Sequence, residues 1–397
     1  MSPSAGYEAE LRQIDQDIAE IGGAAALDPP TDAGRVTQYI YRLYQRASIA
    51  GDLIGLGNVE QAIERALPLL THPGDLLLLK ANIAFKLHRL DDVERMLAAF
   101  PTVGDGVEGR LIRADLDFQR GRYQQADQGY RQALEIEPTW GALARLAYFT
   151  GKMGDPAAAD RLYDEAQGEL TAKEMRSYAW VEVQRGFLDF ARGCGDEARV
   201  HYQRAGKAYP GYWLTDEHVA ELLGAEGRFA DAAAILARLA SGGGRPDLEQ
   251  AIGELCLLAG EPAAAGCWTQ KALANYLRST ERGEVHFWHH LADYYAEVAL
   301  DGSQAVAWAQ KDLQLRENFS TEAAFANALF RDGRFDEASD WIDRALASGA
   351  VDARLFLLAG RIHMAAGHSI DGRIDGRAYL DRAARLNPIV ERFHLHH

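Results

Sequence analysis

Apolar residues recur three and four positions apart along almost the whole chain, the spacing of one helical face, and the pattern breaks at near-regular intervals. The clearest stretch runs from Glu108 to Trp140 and reads as two short amphipathic helices joined by a tight turn. Ala114 lies where the two helices cross, Gly121 breaks the first, and Tyr123 caps the hairpin. Ala126, Tyr130 and Ala133 recur on the inner side of the second helix, and Pro138 ends it. Upstream, Leu11, Ile14, Ile18 and Ile21 mark one face of a separate short helix, stopped by the prolines at 29 and 30.

The same register returns at 141–169, 180–210, 213–240, 247–277, 285–317, 320–347 and 351–388, each with small residues at the crossing and a glycine or short polar turn between helices. GlyAspProAla at 154–157 and GlyGluProAla at 260–263 put proline at the start of a second helix, where its missing N–H costs nothing. The unit at 285–317 carries one extra residue, placed in its AspGlySerGln turn, and the last unit contains a tandem IleAspGlyArg at 370–377 that lengthens its turn. Two earlier hairpins, at roughly 35–71 and 75–100, are degenerate, and the first lacks a turn glycine in register.

These small residues, turn glycines and inner tyrosines resemble the tetratricopeptide repeat (TPR) family, whose unit is a helix–turn–helix of roughly 34 residues. The resemblance implies an all-α, right-handed α-solenoid of about ten repeats with a concave groove lined by the first helix of each. It divides the chain into an N-terminal helix and proline-containing linker (1–34), a solenoid (35–388, degenerate over 35–107 and well formed over 108–388) and a His-rich tail (389–397). No hairpin buries its apolar face alone, so stacking supplies the core.

Of the 397 residues, 48% are apolar and 25% charged, an ordinary globular composition, with a formal net charge of −16. That charge argues against a nucleic-acid backbone or an anionic membrane as the main partner. Scarce lysine beside abundant arginine, alanine and glycine points to a bacterial, GC-rich source. Cys194, Cys256 and Cys267 are too few for a disulfide framework, although the last two fall on one hairpin. With no signal-like N-terminus and no apolar run near the ~18 residues of a membrane span, the expected compartment is the cytoplasm, or the periplasm had a signal peptide been removed.

Within the TPR resemblance, groove positions flank the small crossing residue of each first helix. Mapped by register, they give an aromatic shelf, Tyr148, Trp180, Phe187 and Phe190, beside a carboxylate stretch, Glu217, Glu221, Asp247 and Glu254. Such a groove suits a peptide or protein segment with basic and apolar side chains, and binding that uses the carboxylates weakens with salt. The family's clamp for C-terminal carboxylates needs Lys, Asn and Arg there, and the corresponding sites are acidic or apolar.

A second cluster, His286, His289 and Asp293, falls within a narrow arc if 286–293 is one helix, with His290 beside it, and imidazoles and carboxylates so spaced can share a divalent ion such as Zn²⁺. HisLeuHisHis at 394–397 could also chelate metal, whereas His363 and His368 read as ordinary surface or packing residues. No GxSxG elbow, P-loop or paired-cysteine zinc motif occurs, so an enzyme is not expected. The leading expectation is a non-enzymatic scaffold or adaptor. The alternatives are a metal-handling repeat protein and a ligand-sensing regulatory domain.

Overall fold

The computed structural model describes residues 6–27, 32–71, 73–367 and 376–395. The proline pair, His368, all but the end of the IleAspGlyArg tandem, and residues 396–397 lie outside them. Ten antiparallel helical hairpins follow one another as a right-handed α-solenoid, with no strand among the described residues. Numbered in chain order, unit one pairs Ala33–Ala50 with Leu53–Ala66, unit three Val107–Gln119 with Tyr123–Ile136, unit six Trp213–Ala225 with Phe229–Ala240, and unit ten Ala353–Ala365 with Gly376–Leu386. No helix among the described residues is long and apolar enough to cross a membrane.

Local chemistry sets the helix ends. Asp155 caps the second helix of unit four, accepting from the Ala158 N–H at 2.9 Å, and Pro156 occupies its first turn. Asn318 and Asp352 cap the first helices of units nine and ten in the same way. Inside each hairpin the small residues disappear from solvent: Ala114, Ala126 and Ala133 are at most 1% exposed. The second-helix tyrosines are buried as well, and their hydroxyls reach toward the first helix, Tyr130 donating to Asp115 at 2.7 Å and Tyr276 to Gln250 at 3.1 Å. An outer residue thus positions a polar group on the inner face.

Two details differ from the sequence reading. Unit one does have a turn glycine, because Gly51 ends its first helix with φ 63°. In unit eight the extra residue is taken up by a π-helical turn, Tyr294–Val298, rather than by the turn after it. A wider helical turn absorbs one residue without moving the flanking faces.

The superhelix closes on itself after about six units. The turn of unit two meets the start of unit eight through His88 and His289, with ring centroids 5.4 Å apart. The turn of unit three meets the start of unit nine, where the Glu317 N–H donates to the Gln119 carbonyl at 3.1 Å and the Phe319 N–H donates to the Tyr123 hydroxyl at 2.7 Å. Gly154 of unit four packs on Val351 before unit ten, and Gly193 of unit five on Asn387 and Pro388 after it. At the other end, Trp213 donates to the Ile49 carbonyl at 2.7 Å, and Glu10 of the N-terminal helix Tyr7–Glu20 bonds Arg176 and Tyr209. One apolar cluster consequently runs from Leu111 and Phe149 to Leu329 and Leu355, joining units three and four to units eight, nine and ten.

Gly121 and Gly227 separate inter-turn packing from backbone strain. Both have positive φ, 70° and 81°, but a Cβ at Gly121 would strike the Glu317 carbonyl, whereas nothing lies within 4 Å of one at Gly227. Gly227→Ala should cost about 1–2 kcal/mol from left-handed backbone alone, and Gly121→Ala measurably more in urea denaturation. Equal costs would contradict the inter-turn contact.

Candidate functional site

The first helices bring part of the expected shelf together. Tyr148 stays 39% exposed, edge-on to Phe118 at 6.2 Å, and Lys152 sits over both the Tyr148 and Phe187 rings at 5.6 and 5.1 Å. Phe187 in turn meets His218 at 5.7 Å. A ribbon of rings, Phe118, Tyr148, Phe187 and His218, therefore crosses units three to six, one ring per unit. Trp180 and Phe190 are not part of it. Trp180 packs between units against Trp140 at 6.2 Å, and Phe190 is buried with Tyr202 and Leu222.

The carboxylate stretch is assembled but already engaged. Arg245, in the turn before unit seven, reaches Glu217 at 2.8 Å and Asp247 at 2.6 Å, with Glu217 almost fully buried. Burial alone would raise the Asp247 carboxyl, yet the charge and hydrogen bonds of Arg245, with help from His290, hold it below the ordinary carboxylate value. Gln250 donates to Glu254 at 2.9 Å and to Asp293 at 3.2 Å. Arg354 of unit ten lies close enough across the groove to feel Asp293, Glu221 and Glu254. Units three and four hold a matching pair, Arg145 bridging Asp115 at 3.0 Å and Glu108 at 2.7 Å. Register does not assign Arg245 to the groove because it stands in the turn before unit seven, nor Arg145, which lies on the first helix of unit four.

His286, His289 and Asp293 do not form a ligand set. The helix of unit eight starts at Trp288, so His286 lies in the preceding turn and not on the same face. Among the described residues no group of three or more His, Cys, Asp or Glu is placed to hold a metal ion. Instead His289 lies tilted against His290 and faces His88, and the Nδ1 atoms of His88 and His289 are both buried without a hydrogen-bond partner among the described residues. Burial, with Arg316 and neighbouring imidazoles adding, holds His88 and His289 well below the ordinary histidine value, and burial lowers His286 to about 4 although Glu284 opposes it. His363 is a packing residue, 2% exposed beside Ser339 and Asp343. The cysteines are free, Cys256 buried and Cys267 exposed.

The remaining part of the groove is filled by the chain itself. After the last helix, residues 389–395 lie between the first helices of units six and ten. Arg392 donates to the Ala225 carbonyl at 3.3 Å, Phe393 covers Gly224, and the Leu395 N–H donates to Glu221 at 2.9 Å. On the other side Glu391 pairs with Arg361 at 2.9 Å, and His394 with Arg354.

No protein-family model and no curated protein sequence matches this chain. Solved structures do. The crystal structure of the APC/C hetero-tetramer Cut9-Hcn1 is similar at 15% identity and TM-score 0.44, over 97% of this chain and 81% of that one. The human IFIT1 dimer with m7Gppp-AAAA is similar at 14% and 0.47, over 96% and 86%, and the human IFIT1 dimer with PPP-AAAA at 12% and 0.48, over 95% and 94%. Likenesses this distant concern the helical-repeat arrangement alone.

Proposed function

We propose that this chain is a non-enzymatic scaffold whose concave face binds an extended segment of a partner protein. The observation that carries the reading is the ring ribbon of units three to six, where Tyr148 remains exposed while Phe149 and Tyr163 of its hairpin are consumed by packing. An exposed aromatic beside a half-buried one offers rigid apolar area at low entropic cost, as interface anchors do. The charged groups nearby are tied to one another across units, Arg145 to Asp115 and Arg245 to Glu217 and Asp247, which suits holding a shape rather than moving protons.

That pairing also refines the partner. With Glu217, Asp247 and Glu254 engaged internally, its affinity comes from apolar side chains on the rings, while the net charge of −16 steers basic segments toward the face. Raising salt should therefore slow association and leave dissociation nearly unchanged.

Peptides selected on the whole chain from a displayed random library, then titrated against Tyr148→Ser/Phe187→Ser, test the reading. Affinity should fall about 10-fold or more, as for loss of central aromatic anchors. Unchanged affinity would remove this face as the binding site.

A further inference from the structure

The segment Ile389–Leu395 meets the groove as a ligand would. It runs antiparallel to the first helix of unit six, since Arg392 lies at Ala225, Phe393 at Gly224 and Leu395 at Glu221. It is antiparallel to the first helix of unit ten as well, with Glu391 at Arg361 and His394 at Arg354. From Phe393 onward the side chains alternate as in a strand: Phe393 and Leu395 are buried toward unit six, and His394 points to unit ten.

The seat recognises features common to any extended peptide. Glu221 accepts a main-chain N–H, its carboxylate also held by His218 at 3.3 Å. The Ala225 carbonyl takes a side-chain donor, and Gly224 provides a flat stretch of helix on which a ring can lie. A Cβ at Gly224 would collide with Phe393, so the glycine makes room for the ring and for nothing in its own hairpin that lies nearer. The segment is also held by a turn in which the Arg392 N–H donates to the Ile389 carbonyl at 2.9 Å, and by burial of Phe393 and Leu395 against units six and seven, but its outer contacts are loose. The Glu391 and Arg361 side chains are exposed, and the Leu395 amide bonds to a side chain rather than to a backbone ladder.

We infer that Ile389–Leu395 is a displaceable occupant of the concave face, holding the seat of a partner peptide that presents an aromatic and a branched aliphatic side chain two residues apart. The inference rests on the concave-face reading above and adds to it the chemistry of the peptide and the need to lift the chain's own segment. Partner binding is then a competition in which the tethered segment acts at the effective concentration of a short linker.

The test uses the whole chain and a fluorescent synthetic peptide of sequence ProIleValGluArgPheHisLeu, that of residues 388–395. The peptide should bind Phe393→Ala/Leu395→Ala at least about 10-fold more tightly than the unaltered chain, whose seat is taken. It should bind Gly224→Leu no better than the unaltered chain. Equal affinity for the double variant and the unaltered chain, or no binding to either, overturns the inference.

Hydrogen exchange on the unaltered chain guards against a variant that misfolds. The Leu395 amide should exchange at least about 100-fold faster than those of Leu222 and Leu223, because a local opening needs far less free energy than unfolding the helix beneath. Equal rates would make the segment a fixed part of the fold and overturn the inference. Failure here, with library peptides still sensitive to Tyr148 and Phe187, would leave the scaffold reading standing. Insensitivity to those rings would remove the scaffold reading by itself.

Discussion

Arg245→Ala is expected to lower stability by about 3–5 kcal/mol, the cost of leaving a buried ion partner uncompensated. Glu217 is buried with a 4% exposed side chain, Asp247 lies beside it, and the guanidinium that neutralises both arrives from the turn before unit seven. It also stacks over Trp213 at 5.2 Å, so its loss loosens the junction of units six and seven as well as the charge balance. Urea denaturation of the single variant, and of Arg245→Ala combined with Glu217→Gln and Asp247→Asn, separates the two effects. Neutralising the carboxylates should restore more than half of the loss. A single variant within about 0.5 kcal/mol of the unaltered chain would place it among ordinary surface substitutions and show that the triad does not hold the groove together.

Stability is expected to fall in acid because of the histidine cluster. His88 and His289 are held well below their ordinary value by burial, and His286 at about 4. Below pH ~6.5 the unfolded chain takes up protons at these positions and the folded chain does not, so stability falls as the pH drops from ~6.5 toward 4. Above that window these groups contribute no slope. Each histidine contributes about 1.4 kcal/mol per pH unit, and His286 alone about 3 kcal/mol before it protonates in the folded state. Asp115, whose carboxyl burial raises against the pull of Arg145 and Tyr130, works in the opposite sense at lower pH. Urea midpoints at pH 7, 6 and 5 should fall steadily in the unaltered chain and less steeply in His88→Asn/His289→Asn. Asparagine suits the left-handed backbone of residue 88, φ 59°. Parallel profiles would show that these imidazoles are not held neutral.

Most of the fold could be read from local pattern because each hairpin repeats the same small residues. Ala114, Ala126 and Ala133 reappear in kind along the chain, and the fully buried alanines stand where the spacing puts them. Unit one escaped that reading only in its turn, where Gly51 lies one position after a helix without inner alanines in register. Less was legible in the site. Tyr148 and Phe187 come together under Lys152, but Trp180 and Phe190 point into unit junctions, and apolar aromatics serve either environment. The histidines were placed on one helix that begins two residues later than the pattern suggests. The rest depends on how many units complete a superhelical turn. Nothing local in Gly121, His88 or Arg354 states that it will meet a segment several repeats away, yet such meetings join the superhelical turns and, at Arg354, help seat residues 389–395.

Hydrogen exchange of the whole chain, with and without a library-selected peptide at saturation, tests the concave-face claim most directly. Protection should gather in the first helices of units four, five and six, Trp140–Lys152, Met175–Phe190 and Trp213–Ala225. Their second helices, Pro156–Gly168, Gly195–Ala208 and Phe229–Ala240, should change little. Protection centred on those second helices instead would put the partner on the convex side and contradict the account.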